Sequence, residues 1–351
     1  MRKSLKSTLS LLLLAGMFSA CSLEETPYGV YSNKTFFLTE ADAENALMYA
    51  YVPINYIEYA QRFTYYFGDL LTDEIDQYGY GLSDVTGWDV KPTTEENLYF
   101  FKNIYVALGR CNSVLENVPK MQIPQDKKNK FMGEAYFLRA FHHFNLVKNW
   151  GEVPIRIKAV NTVADTQAKK APIKDVWTQI INDLLEADKL LGINKCQGRV
   201  DKVAAEALLS RAYLYLATYK ESGSPGYDWV EDADAMYAKA EQYAGKVIYD
   251  QTTYALDPSI DNIYSVFSQN SSPEHIFITA MSREGSGYEG TYAQLPLLFM
   301  IQYSADFVYV SEKLVPETDP ATGKVKVMKM IDSKPAWAVA RTSYEWWNRT
   351  F

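Results

Sequence analysis

The amino-acid sequence predicts a mainly α-helical protein, in which helix pairs stack beneath a long, irregular, loop-rich layer with a few short strands. Three observations predict this fold. Apolar residues recur at helical spacing through six segments between residues 39 and 249. A residue pattern repeats between two of these segments, and other stretches, rich in Gly, Asp and Tyr, show no helical period. The 351 residues, 48% of them hydrophobic, can bury a large core.

Boundary signals accompany several of the six predicted helices. Thr39 and Asp42 have the spacing of a capping box at the start of the first helix. Pro119 ends the second helix, and Pro172 occupies the first turn of the fourth. The predicted spans are 39–60, 94–118, 125–150, 172–191, 200–219 and 232–249. The predicted apolar stripe is Leu98, Phe101, Tyr105 and Leu108 on the second helix, and Phe137, Phe141, Phe144 and Val147 on the third.

The repeated pattern lies in the third and fifth helices, at a constant offset of 72 residues. The first copy comprises Glu134, Ala135, Arg139, Ala140 and Phe141, and the second comprises Glu206, Ala207, Arg211, Ala212 and Tyr213. Small residues at such positions let neighbouring helices approach closely. The offset is about twice the ~34-residue period of tetratricopeptide repeats, so we predict stacked tetratricopeptide-like helix pairs. Chance similarity of two amphipathic helices is the alternative, because two copies are few for a repeat.

Irregular stretches flank the helical segments. Residues 69–92 predict a long ordered loop, and after Asp257 only Ile276–Thr279 and Phe307–Val310 resemble short strands. We therefore predict a signal peptide at residues 1–20 and one domain at residues 21–351. Its three parts are an N-terminal part at 21–160, a helical-repeat part at 161–255 and a loop-rich part at 256–351.

The N-terminus has the pattern of a secretory signal. Arg2, Lys3 and Lys6 precede a weakly polar-to-apolar run over residues 9–18, which is too short for a permanent membrane helix. Ser19 and Ala20 before Cys21 resemble the lipobox of bacterial lipoproteins, which predicts lipidation of Cys21 and attachment to the outer membrane. Glu24 and Glu25 resemble an export signal to the cell exterior. A chance cysteine after an ordinary signal peptide, and a solvated linker, are the alternatives.

Composition and motifs disfavour several other functions. A net charge of −8 disfavours nucleic acid as a partner. Asp73, Glu74 and Asp76 are too close in sequence for the two carboxyls of a glycoside hydrolase. The three histidines, His142, His143 and His275, do not form a metal site or a nucleophile triad, and we expect packing and hydrogen-bonding roles. We expect no cofactor and no catalysis. Cys111 and Cys196 are expected to be separate buried thiols, although a disulfide remains open.

Four segments together resemble the SusD/RagB family of nutrient-binding outer-membrane lipoproteins. They are the lipobox with its acidic followers, Tyr28 to Ala46, Gly133 to Pro154 (GEAYFLRAFHHFNLVKNWGEVP), and Gly198 to Leu216. The resemblance implies a right-handed stack of tetratricopeptide-like helix pairs without catalytic activity. It also implies a lid over a TonB-dependent transporter of the SusC type, to which oligosaccharide is delivered. Family members are generally much longer, so we expect a C-terminal portion to be missing.

Two loops carry candidate ligand-binding residues. Aromatic rings stack on sugar rings while carboxylate or Arg groups bind the hydroxyls. The candidates are Asp73, Asp76, Tyr78, Tyr80 and Trp88 in the first loop and Arg283 and Tyr288 in the second. The resemblance implies ligand contacts from these loop regions. As alternatives, the aromatic residues hold the loop on the scaffold or contact the transporter. For the whole protein, the alternatives are a scaffold of a surface complex and an uptake protein that binds peptide.

Overall fold

A computed structural model describes residues 36–56, 59, 63–73, 75–77, 83–160, 162–196, 198–264, 271–279, 313–318, 325–330 and 340–342. Within these ranges the six long helices are α1 Glu40–Tyr51, α2 Glu95–Asn117, α3 Gln125–Trp150, α4 Ile173–Leu190, α5 Lys202–Glu221 and α6 Ala233–Tyr249. Short helices span Phe63–Tyr66, Ser83–Thr86 and Ile260–Tyr264, and 3-10 turns span Val52–Asn55, Val118–Lys120 and Ala164–Thr166. The predicted mainly helical fold is confirmed. None of the helices in the described ranges is long and apolar enough to cross a membrane.

Helix ends follow the sequence signals. Thr39 and Asp42 form the predicted capping box, in which the Thr39 N–H donates to Asp42 Oδ2 at 2.8 Å. The carboxylates of Asp201 and Asp232 cap α5 and α6 by accepting hydrogen bonds from two backbone N–H groups each. Gly151 ends α3 with a φ of 67°, a conformation that favours glycine. The predicted bounds of the long helices are therefore correct to within a few residues, except that α1 gives way to a 3-10 turn after Tyr51.

Consecutive long helices pack against each other from α1 to α6. Helix α3 lies in the interior, where Phe131, Leu138 and Leu146 are fully buried. Gly133 makes a close approach possible, because a Cβ atom there would lie 2.7 Å from Leu191 Cγ. Gly133, which directly precedes the repeated pattern, therefore lets the end of α4 approach α3.

The predicted stripe on α2 was wrong in its phase, except that Leu108 is buried as predicted. Leu98 is 55% exposed, and the buried face consists of Phe100, Ile104, Ala107, Leu108, Cys111, Asn112 and Val114. Aromatic residues occur on both sides of this helix, so a stripe drawn through Phe101 and Tyr105 satisfies the period equally well. Phe101 and Tyr105 instead sit at the edge of the buried face, where Phe101 packs edge-on against Trp150 at 5.2 Å.

The described strands are few and short. Strand β1 Ile75–Gln77 pairs antiparallel with β4 Ala340–Thr342, and β2 Lys313–Thr318 pairs antiparallel with β3 Val325–Met330. The strand predicted at 276–279 was wrong, because this segment bends and its Phe277 ring packs edge-on against Phe137 of α3 at 5.7 Å. Its apolar residues pack on the helices and do not pair with another strand. The strand predicted at 307–310 lies outside the described residues, and the predicted loop 69–92 contains β1 and the helix Ser83–Thr86.

The two cysteines of the helical region differ in exposure. Cys111 is buried in α2 and Cys196 is exposed, and the two do not form a disulfide with each other. The expected separation of the thiols is confirmed, but the expected burial of Cys196 was wrong. Burial raises the pKa of the Cys111 thiol to about 12, so this side chain acts as a small apolar group.

Candidate ligand-binding surface

Trp88 is exposed on a rigid turn. Two hydrogen bonds close the end of the helix Ser83–Thr86: the Trp88 N–H donates to the Val85 carbonyl at 3.1 Å, and the Asp89 N–H donates to the Asp84 carbonyl at 2.8 Å. This is the Schellman pattern, in which the residue at the position of Trp88 has a positive φ and is usually glycine. Trp88 has a φ of 57° and is 66% exposed. An indole ring is therefore presented to solvent from a backbone conformation that costs about 1–3 kcal/mol.

The base of this turn is attached to the start of α2. Val85 is fully buried, and the hydroxyl of the buried Thr94 donates to Asp84 Oδ2 at 3.2 Å. The same hydroxyl accepts a hydrogen bond from the Lys91 N–H at 2.9 Å. Lys91 and Asp89 form an exposed ion pair at 2.6 Å, which adds little stability. Thr94 therefore joins both ends of the Trp88 turn to the helical scaffold.

The other predicted ligand-binding residues are described only in part. Asp73 lies in an exposed turn after the helix Phe63–Tyr66, and Asp76 lies on β1, where the structure describes the backbone alone. The lipidation candidate Cys21 and four ligand-binding candidates lie outside the described residues: Tyr78, Tyr80, Arg283 and Tyr288. Trp88 is accordingly the candidate whose surroundings the structure defines best.

A buried charge cluster joins α1, α3 and the loop before α5, and sequence analysis did not predict it. Arg199 binds the Glu134 carboxylate through two hydrogen bonds of 2.7 Å each, and the Tyr51 hydroxyl donates to Glu134 at 2.7 Å. Glu44 forms an ion pair with the same guanidinium. Burial raises the pKa of Glu134, and its hydrogen bonds with Arg199 and Tyr51 oppose this change. The only sequence signal was Glu134 itself, as the first residue of the repeated pattern.

A cavity of about 240 Å³ borders this cluster. Its lining includes Lys130, Glu134, Leu191, Cys196, Arg199 and Asp201. Both Glu134 and Arg199 line this cavity, and the carboxylate of Glu134 already binds the guanidinium of Arg199. We therefore assign the described part of the cluster a structural role, as a link between the helices.

A second buried charge pair connects α3 with α4. Arg139 donates to Asp183 from Nε at 2.8 Å and from Nη2 at 2.7 Å. The Nη1 group donates to Asn112 Oδ1 of α2 at 3.0 Å. This cluster ties three helices together at a place where the side chains of the ion pair are only 8% and 3% exposed.

The adjacent histidines of α3 have packing roles. Burial lowers the pKa of both His142 and His143 to about 3, so both rings are neutral near pH 7. His143 Nδ1 donates to the Arg139 carbonyl at 3.0 Å, because its Nε2 accepts from the Arg156 N–H at 3.3 Å. His142 Nδ1 forms a hydrogen bond with the Tyr59 hydroxyl at 2.6 Å. Within the described ranges, no group of three or more His, Cys, Asp or Glu residues is placed to bind a metal ion.

Comparison with known proteins relates this helical scaffold to one family. The sequence model of a family described as SusD-like, starch-binding and associating with the outer membrane, matches residues 23–214. SusD-like protein P38 of Formosa agariphila is 26% identical over 228 residues, which cover 63% of this chain and 44% of that protein. The starch-binding protein SusD of Bacteroides thetaiotaomicron is 26% identical over 192 residues, which cover 53% of this chain and 32% of that protein. The chain therefore spans less than half the length of these relatives.

Solved structures share the fold. A laminarin-binding SusD-like protein aligns with a TM-score of 0.66 at 20% identity, covering 88% of this chain and 63% of that one. A SusD superfamily protein of Parabacteroides distasonis aligns with a TM-score of 0.64 at 21% identity, covering 83% of this chain and 59% of that one. These likenesses support the tetratricopeptide-like arrangement of the helices.

Proposed function

Because the chain belongs to the SusD-like family, whose sequence model matches more than half of it, we propose that it binds oligosaccharide at the outer-membrane surface without catalysis. We further propose that it delivers the glycan to a TonB-dependent transporter of the SusC type. The family's description as starch-binding and associating with the outer membrane supports the first proposal. The observation in this chain that carries it is the exposed indole of Trp88 on its rigid turn.

The chemistry of sugar recognition explains why Trp88 matters. A pyranose ring has an apolar C–H face, which an indole covers well, while its hydroxyl groups need polar partners nearby. Hydrogen bonds fix the backbone of the Trp88 turn before the ligand arrives, so less conformational entropy is lost on binding. We therefore propose that Trp88 stacks on a sugar ring. Polar and aromatic partners come from the same loop and from the second one: Asp73, Asp76, Tyr78, Tyr80, Arg283 and Tyr288.

Calorimetric titration with a panel of α- and β-linked glucans tests this proposal. The starch-binding and laminarin-binding proteins among the relatives guide that choice of probes. We expect one class to bind and Trp88→Ala to weaken it at least about tenfold, since a lost stacking contact of about 1.4 kcal/mol corresponds to that factor. Trp88→Phe, which keeps a ring, should bind with intermediate affinity.

Two outcomes would count against the proposal. If no glycan of the panel binds, the protein is a scaffold or carries peptide. If a glycan binds wild type and Trp88→Ala equally, the protein binds sugar but Trp88 does not contact it. The unfolding temperature of Trp88→Ala is the control, because an exposed side chain contributes little to stability.

Attachment to the membrane rests on Cys21. We propose that an acyl group on Cys21 holds the folded domain at the outer surface while the domain itself stays in water. In cells, Cys21→Ser should shift the protein from the membrane fraction to the soluble fraction. Unchanged membrane association would mean that the transporter, or another contact, holds the protein there, and co-purification of the variant with the transporter would distinguish these cases.

A further inference from the structure

An exposed aromatic platform lies on α1 and α2, away from the Trp88 turn. The guanidinium carbon of Arg110 lies 3.6 Å from the centroid of the Tyr49 ring, and Tyr49 is 57% exposed. Arg110 Nη1 donates to the Tyr49 carbonyl at 3.1 Å, and Nη2 donates to the Tyr56 hydroxyl at 2.7 Å. One face of the Tyr49 ring is thus covered by Arg110, and the exposed area belongs to the opposite face.

This arrangement fixes the ring before any ligand binds. The guanidinium attracts the electron-rich ring face, and its two hydrogen bonds hold the guanidinium to both ends of the segment between Tyr49 and Tyr56. Residues of α1 and α2 together therefore set the orientation of the exposed ring.

A polar side chain lies one helical turn from Tyr49. Asn45 is exposed on α1 four residues before Tyr49, so the two side chains lie on the same side of the helix. Arg110 covers the opposite face of the Tyr49 ring, so its guanidinium supports the ring from below. An exposed ring beside an amide group can bind the apolar face of a sugar and one of its hydroxyls.

The platform is separate from Trp88. Thr94, which holds the Trp88 turn, lies at the start of α2, and Arg110 lies 16 residues further along the same helix. At 1.5 Å per residue the two positions are about 24 Å apart along the helix axis. Trp88 and Tyr49 are therefore linked to α2 at positions that lie farther apart than the width of one sugar ring.

We propose that Tyr49, supported by Arg110, forms a second and weaker sugar-stacking site. This inference rests on the proposed glycan-binding function and adds a site to it. The ligand class is a pyranose within an oligosaccharide or polysaccharide, stacked through its apolar face on the exposed face of Tyr49, with a hydroxyl group bound by Asn45.

Affinity electrophoresis tests this site, because retardation in a gel that contains soluble polysaccharide detects weak binding. The probe is the α- or β-glucan that binds wild-type protein. Trp88→Ala should remain partly retarded, and the double variant Trp88→Ala with Tyr49→Ala should lose at least about tenfold of that residual affinity. Tyr49→Phe should behave as wild type, because stacking needs the ring and not the hydroxyl. The matched control is Tyr249→Ala, which removes an 80% exposed tyrosine at the end of α6.

The outcomes separate the two proposals. Equal retardation of Trp88→Ala with and without Tyr49→Ala overturns the second site and leaves glycan binding at Trp88 intact. Retardation that is lost with Tyr49→Ala but unaffected by Trp88→Ala supports the second site and contradicts the first. Absence of retardation of wild type in every gel overturns both. Tyr49→Phe keeps the contact with Arg110, so it is the control for a folding defect in Tyr49→Ala.

Discussion

Replacing Arg139 by Met should lower the free energy of unfolding by about 3–5 kcal/mol. Asp183 would keep its buried carboxylate but lose both hydrogen bonds of the guanidinium. The side chain of Asp183 is only 3% exposed, so water cannot replace them. Burial already raises the pKa of Asp183 while the hydrogen bonds with Arg139 oppose this change, so removing Arg139 should raise the pKa of Asp183 further.

Urea unfolding followed by circular dichroism measures this effect. Lys189→Met is the matched control, because Lys189 forms an i,i+3 ion pair with Glu186 while its side chain is 69% exposed. We expect less than about 1 kcal/mol for the control. Combining Arg139→Met with Asp183→Leu should recover part of the loss, since no buried charge is then left unpaired. Equal stabilities of Arg139→Met and Lys189→Met would show that the buried pair does not hold α3 to α4.

The second large effect distinguishes the two copies of the repeated pattern. Glu134→Gln should destabilise the protein by about 2–3 kcal/mol, because the amide cannot accept the two charge-assisted hydrogen bonds of Arg199. Glu206→Gln should cost less than about 1 kcal/mol. The basic group that pairs with Glu206, Lys246 Nζ, is 3.7 Å from its carboxylate, and the side chain of Lys246 is 30% exposed. Burial and the charge of Asp188 both raise the pKa of Glu206, so a neutral amide relieves repulsion there.

Thermal and urea unfolding of the two variants, measured side by side, check this difference. The substitutions are chemically identical and occupy equivalent positions of the repeat, so their difference isolates the partners. A loss of stability for Glu206→Gln as large as for Glu134→Gln would mean that the repeat position, and not its partner, determines the energy.

Local signals explain why the helices were predictable. Helix ends are set by groups within a few residues of each other, such as Thr39 with Asp42, and these are visible in the sequence. The phase of α2 was not predictable in the same way, because aromatic residues on both sides of that helix satisfy the helical period. Which side is buried depends on the neighbouring helices.

Partners distant in sequence escaped prediction. The repeat identified Glu134 and Arg139 as notable, but the residues that bind them, Arg199 and Asp183, lie 65 and 44 residues away. Arg211, the equivalent of Arg139 in the second copy, is exposed, so identical residues at equivalent positions have different environments. Trp88 was predicted as a candidate, but its positive φ was not, because Gly87 directly before it is the residue that a left-handed position favours.

A crystal structure of the protein with the glycan that binds most tightly tests the central claim most directly. Our account predicts a pyranose ring stacked on the Trp88 indole, with its carbon atoms within about 4 Å of the ring plane. A glycan bound at a surface that excludes Trp88, with the indole still facing solvent, would contradict it.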